Sequence, residues 1–548
     1  LDRLDKQEIQ AMLRLVKLTG DFHYTTYLLA FDDEMVSQAI GERYAGGDSG
    51  AGRRFLEKII QVPLHVPIIQ KQAMENFFQA SFKRSLELTN TWIADSEKER
   101  LISALSAGIM PRVTTPRHVI RFSNALLVIL PLLKGEANMV DLLLLEALKV
   151  FYLDLYELAS KSQYLLTGVP QSMSVNDISV RYDSIFGKGG EKLGDARLVF
   201  YTLFPKLIGV YGKPAVFGLK EHVTEEELYA QQHIASSYYF RRYFSYAVQD
   251  GEIPDSSIDS FTETMASNDI DKAYQQAKVM IERSNENEFI RRLNETLNKV
   301  TLEEAETYCE LFLLLEKDFS QEILSERLMQ SLSGIYALIL SYLNLLPKHS
   351  IASVCTRLLA ESSNFTFAYE LLRDIDSIGH WSDDNPYDHF KDAIMPEDYE
   401  SFTQIVVDRA MPLLQNKLWY DVFKYDARFF LKIWNRAYGN EPVLDSLRDV
   451  FDENPQQIAT LLQRMSPLGS IGNKPAFFSV DVETYNILKE RLDVSYLFEV
   501  ALNAIGNAEL MPYKAGLHHN VDEVERIHQF INLHRLDIVI EKASAEES

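Results

Sequence analysis

Apolar residues recur at helical spacing along almost the whole chain beyond residue 68. This spacing gives each segment one face that has to be buried against other helices. The clearest helices are predicted over residues 68–88, 97–107, 116–133 and 139–162. Three later segments are richer in Gly, Pro, Asp and Ser and are predicted to be loops, near residues 180–217, 376–398 and 466–484. The chain is therefore predicted to be mainly α.

Residues 1–67 show a different order of elements. Helical spacing over residues 6–17 is followed by YTTYLLAFD over residues 24–32, an aromatic and apolar run that ends in a carboxylate. Such a run predicts a strand buried on both faces of a parallel α/β sheet. A helix over residues 34–43, a Gly-rich loop and an amphipathic helix over residues 53–61 come next. Because a sheet needs more strands than this, the order predicts a fragment of a βα-repeating domain.

Length, charge and cysteine content limit the class of protein. A chain of 548 residues exceeds one hydrophobic core and predicts roughly two to four domains. The 79 acidic and 55 basic residues give a net charge of −24, which disfavours general binding to nucleic acid or anionic lipid. The most apolar run, residues 125–133, is shorter than the about 20 residues that span a bilayer, so no membrane segment is predicted. Only Cys309 and Cys355 are present, which predicts a reducing, cytoplasmic location.

Four strings carry the most specific signal. They are LDRLD from Leu1, LAFDDEMV from Leu29, GRRFLEKIIQVP from Gly52 and TTPRHVIRFSN from Thr114. In this order they resemble the KAP family of P-loop NTPases, a branch of the STAND/AAA+-like ATPases. The resemblance covers roughly the first 165 residues, and a thinner likeness continues to about residue 260.

The first string is similar to the end of the family's Walker B motif, Asp-Asp-Leu-Asp-Arg. The resemblance therefore implies a catalytic setting for Asp2, and it implies ATP and Mg²⁺ as cofactors. A Gly-x-x-x-x-Gly-Lys-Ser/Thr phosphate loop does not occur in the 548 residues. The phosphate loop and most Mg²⁺ ligands are thus expected upstream of Leu1, and the 548 residues alone are expected to be inactive.

The second and third strings imply phosphate-facing residues. Asp32 stands where related ATPases place a sensor of the γ-phosphate; the alternative is that Asp32 caps the helix that follows. Arg53 and Arg54 stand where a catalytic arginine reaches the γ-phosphate of a neighbouring subunit, and Lys58 is a further candidate for phosphate contact. The alternative is that these cations form the solvated face of a helix. A shared site of this kind implies a homo-oligomer.

The fourth string implies a lid sensor. Thr115 and Pro116 suit the start of a helix, which puts Arg117 in its first turn. A cation there is disfavoured by the helix dipole unless an anion is near, which favours a phosphate contact for Arg117. Arg121, one turn on, is a second candidate, with a structural role as the alternative.

A later string, SYYFRRYF over residues 237–244, combines aromatic residues with Arg241 and Arg242. It suggests either a platform for stacking bases or, with better support, a core with the two arginines at its rim. His518 and His519 offer no third ligand at metal-binding spacing, so no metal site is predicted among the residues of this chain.

The resemblance implies four regions: the C-terminal part of a P-loop NTPase core over residues 1–88, its helical lid over residues 89–165, an α-helical region over residues 166–345 and a C-terminal α-helical domain over residues 346–548. Together they imply an ATP-hydrolysing molecular switch, similar to bacterial antiphage-defence ATPases, that passes its nucleotide state to a helical region binding a partner protein. The alternative is a helical interaction scaffold with no NTPase activity of its own, because a Walker A loop is missing from the chain.

Overall fold

The structure is a computed structural model that describes residues 4–19, 22–44, 49–168, 175–212, 223–319, 334–378, 388–415, 417–471, 474–507, 509–512, 516–519 and 521–547. The chain divides into two compact units. Unit 1 comprises residues 1–84 and 113–120, and unit 2 comprises residues 85–112 and 121–548. The predicted boundaries after residues 88, 165 and 345 stay predictions.

Unit 1 is built on the first helices of the chain: α1 (Lys6–Thr19), α2 (Asp33–Tyr44), α3 (Ser49–Leu56) and most of α4 (Lys71–Leu88). Its small core contains Ile9 and Leu13 of α1, Val36 and Ile40 of α2, and Leu56 of α3. The i, i+4 spacing within each pair puts both apolar side chains on one helix face. The helical spacing seen in the sequence over residues 6–17 and 34–43 is therefore confirmed.

The predicted strand over residues 24–32 is wrong for this chain. The segment has no regular secondary structure, and Tyr24 and Leu28 are more than 90% exposed instead of buried on both faces. A strand needs a hydrogen-bonded neighbour, and no strand is found among the described residues of unit 1. The segment between α3 and α4 is exposed in the same way at Val66 and Ile68.

Unit 2 is almost entirely helical. Its first helices, together with α6, which straddles the two units, are α5 (Asp95–Ala104), α6 (Pro116–Leu132), α7 (Met139–Phe151), α8 (Leu153–Ser160), α9 (Gln163–Thr167), α10 (Val175–Phe186), α11 (Arg197–Leu203), α12 (Lys206–Tyr211), α13 (Glu225–Ala230), α14 (Phe240–Ser245), α15 (Asp255–Ala266), α16 (Ile270–Arg283), α17 (Glu286–Thr296) and α18 (Leu302–Leu315). A π-helical turn follows α5 at Leu105–Ile109, and 3₁₀ turns lie at Met110–Arg112, Lys188–Ala196, Leu297–Lys299 and Met411–Leu414.

The second half continues with α19 (Ile335–Leu345), α20 (Lys348–Glu361), α21 (Phe365–Ile378), α22 (Asp388–Lys391), α23 (Pro396–Ala410), α24 (Trp419–Val422), α25 (Ala427–Tyr438), α26 (Glu441–Glu453), α27 (Gln457–Met465), α28 (Val482–Arg491), α29 (Val494–Ile505) and α30 (Glu523–Glu547). One antiparallel hairpin, β1 (Leu468–Ile471) and β2 (Lys474–Phe477), interrupts the helices, with Leu468 opposite Phe477. A continuous cluster of buried apolar residues extends along the sequence from Ile253 to Leu533. The mainly α fold is confirmed.

Several helices begin at side-chain caps that are visible in the sequence. Thr224 and Thr301 each form a capping box with the glutamate three residues on, so that two otherwise unpaired backbone N–H groups are satisfied at each helix start. The capping positions therefore add local signals to the helical periodicity.

Two of the predicted loops are wrong. Within the predicted loop near residues 180–217, residues 180–211 are mostly helical and contain buried Tyr182, Phe186 and Phe200, because their glycines serve a kinked 3₁₀ segment between two helices. Residues 213–217 lie outside the described residues. Residues 466–484 contain the hairpin and the start of α28. The third predicted loop, residues 376–398, lies partly outside the described residues and otherwise contains the ends of α21 and α23 and the short α22.

Candidate functional site

Asp32 lies at the N-terminus of α2. Its carboxylate Oδ1 accepts a hydrogen bond from the backbone N–H of Met35 at 2.9 Å, and its backbone carbonyl accepts one from Val36 at 3.0 Å. This is the geometry of an N-cap, in which a side-chain oxygen satisfies a backbone donor of the first helical turn. Asp32 is also exposed. The capping role is thus present in the structure, and the sensor role stays a prediction.

Arg53 lies on α3 and is paired with α2. Its Nε donates to Asp33 Oδ2 at 3.1 Å, and the two side chains are 64% and 52% exposed. The helices come close because position 52 is glycine: a Cβ there would lie 1.9 Å from the backbone oxygen of Ser37. The structure therefore brings Arg53 to the residue that follows Asp32.

Arg54 and Lys58 follow on the same short stretch. Both side chains are exposed, whereas Leu56 between them is buried in the core of unit 1. Their exposure fits the solvated-face interpretation, and it also leaves their charges accessible to an anion from outside. Asp2, the remaining predicted catalytic residue, lies outside the described residues.

Arg117 and Arg121 lie one turn apart on α6, which begins at Pro116 as the sequence predicts. Both arginines are exposed, while Val119 and Phe122 on the same helix are fully buried. Residues four apart share a helix face, so the two guanidinium groups stand on one exposed surface. The structure thus forms two cationic groups, one on α3 with the turn after it and one on α6.

The structure also shows a buried polar centre around Asp141, whose side chain has no exposed surface. Its Oδ1 accepts from Arg100 Nη1 at 2.7 Å, and its Oδ2 accepts from the backbone N–H of Ile234 at 2.8 Å. Asn138 caps the helix that carries Asp141 and also accepts from Arg100 at 3.1 Å. Sequence reasoning missed this centre, since Arg100 and Ile234 are 41 and 93 positions away from Asp141.

His233 completes this centre as a neutral imidazole. Its Nε2 lies 3.0 Å from Arg100 Nη1. Its Nδ1 accepts a hydrogen bond from the backbone N–H of Ala235 at 3.1 Å and lies 3.1 Å from Asp141 Oδ2. Burial lowers the pKa of His233 from its usual value, and Arg100 lowers it too, although Asp141 acts in the opposite direction. The buried polar centre thus has a structural role, and its charges lie on Arg100 and Asp141 and not on His233.

The SYYFRRYF string is core, and it differs from the prediction at one residue. Arg241 is exposed, but Arg242 is fully buried and not at a rim. Its guanidinium pairs with Glu136 at 3.0 Å, Glu252 at 2.7 Å and Asp255 at 2.6 Å. The rings of Tyr238 and Tyr239 lie 4.9 Å from its Cζ and help to enclose it.

This burial also counts against base stacking by this string. Tyr239, Phe240 and Tyr243 are at most 2% exposed, so their faces are not open to a nucleobase. The core interpretation is confirmed, with Arg242 inside it.

The described residues contain neither a metal-binding cluster nor a membrane-spanning helix. No group of three or more His, Cys, Asp or Glu side chains among them has the arrangement to hold a metal ion. No helix in the described part of the chain is long and apolar enough to cross a membrane.

Comparison with known proteins shows which protein family the N-terminal region resembles. Residues 1–133 match the family model of the KAP family P-loop domain. The first 133 of the 548 residues are therefore similar to a KAP P-loop domain, the family that the sequence strings of this region resemble. The domain implies nucleotide binding in general terms.

A particular relative adds to this. The chain is similar to the Phage T7 exclusion protein of Escherichia coli (strain K12), with 26% identity over 157 residues. The aligned part covers 29% of this chain and 21% of that protein, so the chain spans about a fifth of the relative's length. No solved structure gives a significant match.

Proposed function

We propose that this protein is an ATP-binding and ATP-hydrolysing molecular switch that acts in antiphage defence and couples its nucleotide state to the helical C-terminal region. The KAP P-loop match over residues 1–133 supports the nucleotide chemistry. The similarity to a protein named for excluding phage T7 supports the biological setting. In this proposal the protein forms homo-oligomers in the cytoplasm, and the helical region binds a protein partner.

The observation that carries the proposal is the exposed ion pair between Arg53 and Asp33. Pairs between exposed side chains contribute about 0–1 kcal/mol, because water screens them and ordering two long side chains costs entropy. Arg53 can therefore leave Asp33 for a more highly charged acceptor at little cost. A guanidinium binds phosphate oxygens through two N–H groups, which suits an arginine that completes the site of a neighbouring copy.

The other candidate residues have roles that fit their positions. Arg54 and Lys58 are exposed on the stretch that carries Arg53, and they would add positive charge facing the neighbour's phosphates. Arg117 and Arg121 would contact phosphate from the lid. Asp32, which caps α2, would report the loss of the γ-phosphate to that helix, and Asp2 would belong to the catalytic carboxylates.

The exposed apolar run over residues 24–32 supports a larger P-loop domain. Leu28 is 91% exposed, yet the run has the composition of a buried strand. We infer that neighbouring strands of the domain cover this run in the assembled protein. The apolar residues between α3 and α4 would be covered in the same way.

The described residues fit ATP better than they fit Mg²⁺. The exposed guanidinium groups suit the phosphates of ATP. Mg²⁺ is usually held by one or two carboxylates together with phosphate oxygens and water, and the described residues contain no group of three or more His, Cys, Asp or Glu side chains arranged for a metal ion. The proposal therefore assigns no metal ligand among them, and it derives no step through the metal.

The test is phosphate release from ATP by the complete gene product, with Arg117→Ala as the variant and Arg283→Ala as the control. Both arginines are exposed on helices, but Arg283 ends α16, far along the sequence from the P-loop match. We expect Arg117→Ala to lower the hydrolysis rate at least tenfold and Arg283→Ala to leave it unchanged. Equal rates for all three proteins would remove Arg117 from the site, and a wild-type protein that hydrolyses no ATP would support the scaffold alternative.

Sharing of the site between copies is tested by mixing. Arg54→Ala subunits are combined with subunits whose Walker B carboxylates are replaced, each inactive alone. Recovery of hydrolysis in the mixture is expected, because one intact site can form at a mixed contact. No recovery at any ratio would contradict a shared site. Phage plating on cells that produce the wild-type or the Arg117→Ala protein tests the defence role.

A further inference from the structure

A cavity of about 680 Å³ lies between helices of the C-terminal region, far along the sequence from the P-loop match. Its walls come from α21, α22, α23, α25 and α28 and from the segment between α22 and α23. Sites for small organic ligands occupy roughly 300–1,000 Å³ and combine apolar walls with a few polar groups. The apolar wall here includes Ile375, Ile378, Phe390 and Ile394. The cavity therefore has the size and lining of a small-molecule site.

The charged groups of the cavity are mostly cations. Lys391, Lys432, Arg436 and Arg491 line it, against Asp376 and Glu490. This excess of positive charge stands out in a chain with a net charge of −24. The lining thus favours an anionic ligand over a neutral or cationic one.

Contacts within the wall show which cations are already committed. Lys432 Nζ binds both oxygens of Asp376, at 2.6 and 2.7 Å, and the hydroxyl of Tyr399 donates to the same carboxylate at 2.5 Å. Lys432 is therefore neutralised. Arg436 is held more loosely, by Glu400 at 3.2 Å and the carbonyl of Pro396 at 3.3 Å.

The cations other than Lys432 line the same cavity. Arg491 contacts Glu490 at 3.3 Å, and Lys391 is exposed on α22. Arg436 and Arg491 each contact one glutamate, so these two guanidinium groups and Lys391 would share their positive charge between the glutamates and the ligand. A phosphate monoester, which carries about −1.5 to −2 at pH 7, matches this set better than a single carboxylate.

Asn435 adds a hydrogen-bonding requirement for the ligand. Its Nδ2 donates to the carbonyl of Arg491 at 2.5 Å, which fixes the orientation of the amide because only the nitrogen can donate. Its Oδ1 is buried and has no hydrogen-bond partner in the structure. An acceptor left in this state costs free energy until a donor reaches it. A ligand with an N–H or O–H group near its apolar part would satisfy Asn435.

We propose that this cavity binds a nucleotide-sized organic phosphate, with its phosphate on Arg436, Arg491 and Lys391, its ring against Phe390 and the isoleucines, and a donor group on Asn435. A nucleoside monophosphate has all three features. The residues of this site lie outside the P-loop match at residues 1–133, so it would be a second place where the protein detects a small molecule. It does not depend on ATP hydrolysis.

The test is calorimetric titration of the full 548-residue chain with AMP, GMP, CMP and UMP, with the free nucleosides, and with inorganic phosphate. We expect at least one monophosphate to bind, and we expect its nucleoside and phosphate alone to bind at least tenfold more weakly. Arg436→Met should weaken that binding at least tenfold. Arg448→Met is the matched control, because Arg448 is 45% exposed, Arg436 is 42% exposed, and Arg448 does not line the cavity.

Three results would overturn the proposal: no monophosphate binds, phosphate alone binds as tightly as the nucleotide, or Arg436→Met binds like the wild type. Arg117→Met separates this site from the P-loop domain. Monophosphate binding that is lost in Arg117→Met but kept in Arg436→Met would place the ligand in the P-loop domain and also overturn the proposal. ATP hydrolysis by the complete protein is measured separately, so either proposal can fail without the other.

Discussion

Replacing Asp141 with asparagine removes one negative charge from the buried centre in unit 2 and keeps the shape of the side chain. The carboxylate accepts from Arg100 at 2.7 Å and from the backbone N–H of Ile234 at 2.8 Å, one donor on each oxygen. An asparagine has one oxygen, so its NH₂ group has to face one of these two donors. Arg100, whose side chain is 14% exposed, keeps only Glu97 as a charged partner.

The cost follows from these contacts. Breaking a buried ion pair by removing one partner costs about 3–5 kcal/mol. This range includes the donor left unsatisfied, which alone costs about 1–3 kcal/mol. Since Glu97 still compensates part of the charge of Arg100, we expect a loss of about 3 kcal/mol. At about 1.4 kcal/mol for each tenfold change, local opening becomes roughly 100-fold more frequent.

Hydrogen exchange measures this change where it occurs. The backbone amide of Ile234 is bonded to Asp141, so peptides that span residues 228–240 should exchange roughly 100-fold faster in Asp141→Asn. Asp195→Asn is the control, because Asp195 is 61% exposed and lies 3.5 Å from Arg112. Exchange of these peptides within threefold of the wild-type rate would refute the reasoning that Asp141 holds this segment.

Three further predictions concern unit 2. Arg242→Lys should lower the free energy of unfolding, measured by urea denaturation, by about 3–5 kcal/mol. A lysine ammonium group cannot contact all three carboxylates that the forked guanidinium of Arg242 contacts together; a loss below about 1 kcal/mol would contradict this. His233 has a lowered pKa in the folded state, so the unfolded chain binds more protons and the stability should fall as the pH drops below about 6.5; His233→Gln should flatten this part of the pH–stability curve. Burial raises the pKa values of Cys309 and Cys355, so both thiols should resist a thiol reagent at pH 8 in the folded protein and react after denaturation; fast labelling of the folded protein would show that this core opens readily.

Local patterns in the sequence were sufficient to predict most of the helices. The start of α6 at Pro116 follows from the fixed backbone angle of proline, and the cap of α2 by Asp32 needs only a carboxylate three residues before a backbone donor. The mainly α fold is the sum of such signals.

Features that depend on distant partners could not be predicted in this way. The run over residues 24–32 has the composition of a strand, but strand formation depends on neighbours that composition does not supply. The hairpin at β1 and β2 is too short to show alternation and contains Gly469 and Pro475, both typical of loops.

Charged residues show the same limit. Arginine is rarely buried, which favoured a rim position for Arg242, and its partner Glu136 is 106 positions away. In the candidate site, the family strings identified Arg53 but not its pairing with Asp33, which depends on how closely α2 and α3 pack at Gly52.

The burial of Arg242 among three carboxylates also restricts how this protein can change over evolutionary time. Replacing Arg242 with a neutral residue leaves Glu136 and Glu252 without this counter-ion and leaves Asp255 with Arg292 alone, and losing one of the carboxylates removes an acceptor from a fully buried guanidinium. Single substitutions at these four positions are therefore expected to be selected against, even though the positions are distant in sequence. Lineages that lose the cluster would have to exchange its members together, for example for an apolar set of the same volume, so the four residues should be inherited as one block.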